Sequence, residues 1–212
     1  PRDDSQLQLF YSTDGYYLWI THSKKGAKGF KDDNSWQLVK ENRELEPMAR
    51  AELPGTEDLE LLATTVNGSK VSVIFADKRT KRRTVLLKGM VDMDEMHVES
   101  PWLDTLKVMS YGRKDECYVW CSVAPSGRYV GLATVVSYKE TSQYVAEVKM
   151  FDAEMNELWT KEYEMGSTQD VYVTDNGVMV TLAFERVGDA QNFVFNVVDN
   201  AFPVRMVVQL GR

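Results

Sequence analysis

Histidine and cysteine are scarce in this chain of 212 residues, which holds two of each. The two histidines, His22 and His97, are too few and too scattered for a zinc site. Any Ser-His-Asp arrangement would have to use one of them, and neither has a partner among its sequence neighbours. The two cysteines, Cys117 and Cys121, fall in one strand-like run, where residues four apart lie about 13 Å from each other. A disulfide needs Cα atoms within roughly 7 Å, so an extended run excludes their pairing. Even spacing places them on one face with Val119 and Val123, as small buried apolar groups. No apolar run approaches the ~18 residues of a membrane-spanning helix. The Gly-x-Ser-x-Gly elbow is missing, and so are the Gly-x-x-x-x-Gly-Lys and Gly-x-Gly-x-x-Gly phosphate loops. The net charge is −7 and the pI about 5.0, against duplex nucleic acid as a main partner. No secretory leader is read at Pro1-Arg2-Asp3-Asp4, and without an initiator methionine the chain is expected to be a segment of a longer polypeptide.

What the chain does contain is a recurrent turn. Thr13-Asp14-Gly15, Val66-Asn67-Gly68, Pro125-Ser126-Gly127 and Asp175-Asn176-Gly177 each separate two strand-like runs, and their glycines stand 53, 59 and 50 residues apart. Several short strands per period of this length are the pattern of β-propeller blades. The runs are rich in aromatic and β-branched residues, as in Tyr16-Tyr17-Leu18-Trp19-Ile20 and Val71-Ser72-Val73-Ile74-Phe75. Asn67-Gly68 reads as a two-residue hairpin turn with both residues at positive φ. Ala146-Glu147-Val148-Lys149-Met150 alternates apolar and charged, as a half-buried strand does. The charged stretch from Glu41 to Glu52 is broken by Pro47, which argues against a continuous helix. Asp92 to Tyr111 is the least strand-like region, and Ser100-Pro101-Trp102-Leu103 predicts a short helical turn. The predicted architecture is all-β, an array of about four blades of four-stranded antiparallel sheet. Its repeats are 5–56, 57–112, 113–166 and 167–212, in a single domain or part of a larger propeller.

Pro125-Ser126-Gly127-Arg128-Tyr129-Val130, then Met150-Phe151-Asp152-Ala153-Glu154 and Leu158-Trp159, resemble the strand–turn–strand grammar of irregular, WD40-like bacterial β-propellers. The Gly-His and Trp-Asp dipeptides of true WD40 blades are absent. The resemblance spans most of residues 5 to 210 and implies a propeller fold and an extracytoplasmic protein, periplasmic or secreted. No functional residue carries over from it.

Chemistry-bearing residues are few. Asp77, Asp152 and Asp199 each follow an apolar strand, where a short carboxylate caps its own loop. Asp32-Asp33-Asn34 and Asp92-Met93-Asp94-Glu95 offer oxygen ligands, but neither completes a calcium loop, so no metal or other cofactor is expected. Lys78-Arg79-Thr80-Lys81-Arg82-Arg83 is cationic at five of six positions, making Lys78, Arg79, Lys81, Arg82 and Arg83 candidate anion contacts. It equally suits a solvated hairpin tip that discourages edge pairing. Of five tryptophans, Trp36 and Trp102 are flanked by loop residues and are the candidates for stacking on a flat ligand. These features point to a non-catalytic binding or scaffold module presenting loops to a protein or glycan. The alternative is a glycan-active hydrolase or lyase using loop carboxylates. An unpaired blade face also predicts self-association or completion by further blades.

Overall fold

The computed structural model describes residues 6–22, 35–140, 143–164, 167–187, 190–200 and 204–209. Every regular element among them is a β-strand. The first sheet runs in the order β1 (Gln6–Ser12), β2 (Tyr16–His22), β3 (Trp36–Asn42), β4 (Pro47–Leu53). The second comprises β5 (Glu60–Asn67), β6 (Lys70–Asp77), β7 (Arg83–Asp92) and β8 (His97–Val98), with β9 (Asp104–Ser110) also paired to β7. The third is β10 (Glu116–Val123), β11 (Tyr129–Tyr138), β12 (Gln143–Asp152), β13 (Glu157–Glu164). The fourth is β14 (Ser167–Val173), β15 (Met179–Val187), β16 (Ala190–Val198), β17 (Val204–Gln209). Four antiparallel sheets thus follow one another along the chain, the second with five strands rather than the predicted four because β9 returns to β7.

The turns set this arrangement. At the first, Thr13 Oγ1 accepts the N–H groups of Gly15 and Tyr16, each at 3.2 Å. At the second, Asn67 pairs with Lys70, so the central residues are Gly68 and Ser69 rather than Asn67 and Gly68. Gly68 has φ +57° while Ser69 stays at negative φ, the II′ pattern with glycine first. The other two turns close with N–H bonds from Gly127 to Ala124 O (2.8 Å) and from Gly177 to Thr174 O (3.1 Å).

Two further readings are corrected, while the expectation of no continuous helix from Glu41 to Glu52 holds. The Glu41 to Glu52 stretch carries strand β4, with Pro47 first on a sheet edge, where its missing N–H is not needed. The Asp92 to Tyr111 region contains β8 and β9. Ser100 to Leu103 is not helical: the Ser100–Pro101 bond is cis and Leu103 has φ +61°, outside the right-handed helical range.

The chain divides into two compact units, Pro1–Thr80 with Val85–Lys107, and Lys81–Thr84 with Val108–Arg212. In the first unit Leu18, Ile20 and Leu38 interleave with Val71, Val73 and Phe75. In the second, Ala133, Val148 and Met150 pack against Val171, Val173 and Met179. The turns of the third and fourth sheets interlock as well. Asp175 Oδ1 accepts the Ser126 N–H at 2.8 Å, and the Arg128 guanidinium donates to Asp175 O at 3.3 Å.

Candidate binding surfaces

The two tryptophans singled out from sequence are both engaged within the first unit. Trp36 opens β3 and points with Leu38 into the core, leaving 3% of its surface exposed. Its Nε1–H donates to Leu59 O at 3.0 Å, and its ring packs against His22 and Phe75. Strand alternation therefore corrects the loop-flanked reading of Trp36, and no open ring face is left for a ligand. Trp102 is half-buried and donates Nε1–H to Pro54 O at 2.7 Å. Its ring lies over Gly89, where a Cβ would come within 2.2, 2.6 and 2.7 Å of three ring carbons. The two indoles are held by different parts of the fold, each with its N–H bond already made.

The basic run forms the connection between β6 and β7. Two of its cations face carboxylates: Lys78 Nζ reaches Glu60 at 2.6 Å, and Arg79 forks onto Asp77 at 2.9 and 2.8 Å. That bidentate bond pushes the Arg79 pKa further up. Lys81, Arg82 and Arg83 are exposed, and none has a side-chain hydrogen bond or ion pair among the described residues.

The carboxylates are occupied in local structure. Asp77 Oδ1 accepts Arg79 N–H at 3.0 Å, and Asp152 Oδ1 accepts Asn156 N–H at 2.8 Å, as turn-capping aspartates do. Asp92 Oδ1 accepts the N–H groups of Asp94 and Glu95 at 2.9 Å each. The Glu95 and Asp94 N–H bonds hold the Asp92 carboxyl below its ordinary value, against some desolvation. Asp32, Asp33 and Asn34 lie outside the described residues. Among the described residues no group of three or more His, Cys, Asp or Glu is placed to hold a metal. His22 is buried against Trp36, and His97 Nδ1 stands 3.5 Å from Glu95. Neither cysteine is in a disulfide, and burial pushes the Cys121 thiol up to about 12.

A different aromatic surface lies on β10. Glu116, Tyr118 and Trp120 share one face of this edge strand, opposite Ser137, Val135 and Ala133 of β11. Trp120 is half-buried on the core of the second unit, while Tyr118 is 41% exposed. Their rings stack with centroids 5.8 Å apart and planes at 30°. The Tyr118 hydroxyl donates to Glu116 Oε2, and Lys139 Nζ donates to Glu116 Oε1 at 2.6 Å. Lys139 first, then the Tyr118 hydroxyl, holds the Glu116 carboxyl below its usual range. The result is an apolar plate bordered by a fixed carboxylate and a cation. The alternation of Tyr118 and Trp120 with Cys117, Val119 and Cys121 was the available sequence signal for it.

No protein-family model matches the chain, and no curated protein matches it in sequence. Solved structures do resemble it, and they show the class. The β-propeller domain of the Trilobed protease from Pyrococcus furiosus, described as having an open velcro topology, aligns with 99% of this chain at TM-score 0.54 and 11% identity. An ulvan lyase of polysaccharide lyase family PL25 aligns with 96% of it at TM-score 0.52 and 8% identity. The Dos1 propeller aligns with 91% at TM-score 0.49 and 10% identity. The fold of this chain is that of a β-propeller. It spans 59% of the first structure and 57% of the second. No described helix is long and apolar enough to cross a membrane.

Proposed function

We propose that this chain is a non-catalytic propeller module that binds a glycan or protein partner, with the Glu116–Tyr118–Trp120–Lys139 surface as its main contact. The stacked Tyr118–Trp120 pair beside the Glu116–Lys139 ion pair carries the reading. A sugar ring offers an apolar C–H face and a rim of hydroxyls, which suits an aromatic plate bordered by charged donors and acceptors. Lys81, Arg82 and Arg83 supply a second contact suited to an anionic partner. An extracytoplasmic location goes with this reading and is checked by fractionating the source cells.

Four carboxylates are suited to be contacts rather than general acids. Asp92, Glu116, Glu157 and Asp175 are all shifted down, each held as an anion by hydrogen bonds or cations. Glycoside hydrolysis by the two-carboxylate route needs one carboxyl held up as an acid. The alternative, a glycan-active hydrolase or lyase, draws on the likeness to a polysaccharide lyase. One experiment separates them: titrate a panel of soluble polysaccharides and oligosaccharides by calorimetry, and assay the same mixtures for new reducing ends and unsaturated products. Binding without products, weakened at least about tenfold in Tyr118→Ala, supports the module. Turnover supports the enzyme. A Tyr118→Ala variant that binds unchanged removes the assigned surface.

A further inference from the structure

The basic corner before β7 is tied to the segment that leads into β10. Lys81–Thr84 belong to the same compact unit as Val108–Arg212. Arg82 has φ +60°, a left-handed backbone that glycine would adopt without strain, yet arginine stands there. Its carbonyl accepts the Tyr111 N–H at 3.1 Å. The chain then turns tightly: the Asp115 N–H reaches Gly112 O at 3.3 Å, and Asp115 Oδ2 accepts the Gly112 N–H at 3.0 Å. Arg113 and Lys114 are left exposed at the tip of that turn. One Cα step of about 3.8 Å, one turn of under about 7 Å and three extended residues at about 3.3 Å each place Tyr118 no more than about 21 Å from Tyr111. The charges along this track are unequally matched. Lys139 is bonded to Glu116, and Lys114 Nζ stands 3.5 Å from Glu140. Lys81, Arg82, Arg83 and Arg113 have no side-chain hydrogen bond or ion pair among the described residues. A chain of net charge −7 thus keeps four cations, three of them arginines, with no carboxylate bonded to them and within reach of the Tyr118–Trp120 plate.

We propose that this unit binds an acidic polysaccharide, with a sugar ring on the Tyr118–Trp120 plate and the carboxylate or sulfate groups of neighbouring sugars on Arg82, Arg83, Arg113 and Lys81. The inference rests on the binding reading above and names its ligand. An acidic sugar polymer carries both features that the surface pairs: a C–H face that stacks on aromatic rings, and a recurring anion. An arginine fork matches two oxygens of a carboxylate or sulfate and is always charged. A neutral glycan would use the plate and leave the four cations idle. An acidic peptide would use the cations and leave the plate idle. Duplex nucleic acid keeps its bases stacked on one another, and the net charge of −7 opposes its dense phosphates. The unusual backbone at Arg82 fits the same role. A cation whose main chain is fixed by the Tyr111 N–H before a ligand arrives lowers the ordering cost of binding.

Calorimetry with charged sugars beside their neutral forms tests this: oligogalacturonate with its methyl ester, and sulfated with unsulfated oligodextran. At least one charged sugar is expected to bind about tenfold or more tighter than its neutral form, and the pair that shows the larger gap identifies the anion. The gap should shrink as salt is added. Arg82→Gly keeps the left-handed backbone, and Arg113→Ala changes an exposed turn tip. Each is expected to weaken the charged sugar about fivefold, the scale of an exposed ion pair, and to leave the neutral form unchanged. Tyr118→Ala should weaken both forms. Equal affinity for charged and neutral forms overturns this inference and leaves the aromatic plate as a glycan contact. No binding of any of the four overturns it together with the glycan half of the reading it rests on. Charged-sugar binding that ignores both arginine variants, or that ignores Tyr118→Ala, overturns it. Polyglutamate or oligothymidylate of equal charge binding as tightly as the sugar overturns it in favour of an acidic peptide or a nucleic acid.

Discussion

Replacing Gly89 by alanine tests how the first unit closes over its second sheet. Gly89 sits in the middle of β7, paired with Val73, and is buried under the Trp102 ring. A Cβ there would lie 2.2, 2.6 and 2.7 Å from three ring carbons, where ordinary carbon contacts are about 3.5–4.0 Å. The rigid ring must therefore move by about 1 Å or more. Its Nε1–H bond to Pro54 O, 2.7 Å long, ties it in place. Overpacking of this kind costs about 1–3 kcal/mol, and losing the hydrogen bond adds about 1 kcal/mol. Gly89→Ala is thus expected to destabilise the protein by about 2–4 kcal/mol. With a urea slope of about 3 kcal/mol/M, the midpoint falls by roughly 1 M. The sign reverses once the ring is gone. In a Trp102→Ala background those three ring carbons are gone and the same substitution replaces a strand-interior glycine, a gain of about 0.5–1 kcal/mol. Urea titrations of the wild type, both single variants and the double variant measure the coupling. A Gly89→Ala change that is neutral in the wild type, or equally costly in both backgrounds, refutes the steric account.

Asp175 links acid stability to the joint between the third and fourth sheets. The Ser126 hydroxyl first, then the Ser126 N–H and Arg128, hold its carboxyl below the ordinary 3.8. A depressed folded-state pKa contributes stability that is complete above the unfolded value and is lost as pH falls through the folded one. The advantage of wild type over Asp175→Asn should therefore be constant near neutrality and shrink below pH 3.8, as followed by urea titration at several pH values. An advantage that grows on acidification contradicts the assignment. Cys121, with its thiol pushed up to about 12, is only about one part in ten thousand thiolate at pH 8. It should resist iodoacetamide in the folded protein and react in urea, as read by peptide mass mapping. Native-state labelling at the rate of a free thiol would show that the site is not desolvated.

Much of the fold was legible because its signals are local. Glycine at positive φ marks Gly68, Gly127 and Gly177, and alternation between those turns fixes which residues share a face. Local signals also explain the misreadings. Asn67-Gly68 and Gly68-Ser69 are both acceptable turn centres, and the choice falls to the pairing of Val66 with Val71, which keeps apolar residues opposite one another. Strand β4 was obscured because an edge strand needs only one buried face. Ala51 and Leu53 supply it, while Arg50 and Glu52 stay in solvent.

The candidate surface was less legible because alternation gives parity, not cover. Parity puts Trp36 with Leu38, and Tyr118 with Trp120, equally well. Only the neighbouring sheet decides that Trp36 is enclosed by His22 and Phe75 while the Tyr118 end of β10 stays open. The Glu116–Lys139 pair spans 23 residues and forms because β10 and β11 are joined in register, with Glu116 opposite Ser137. A sequence reader sees two ordinary charges there. The same limit governs the fourth sheet, where Val204, Met206 and Val208 are about half exposed. Its apolar residues follow the same pattern as covered ones, and composition alone cannot distinguish a strand covered on both faces from a strand covered on one. Burial makes that distinction, and it separates β15 from β6 and β11 despite their shared sequence pattern.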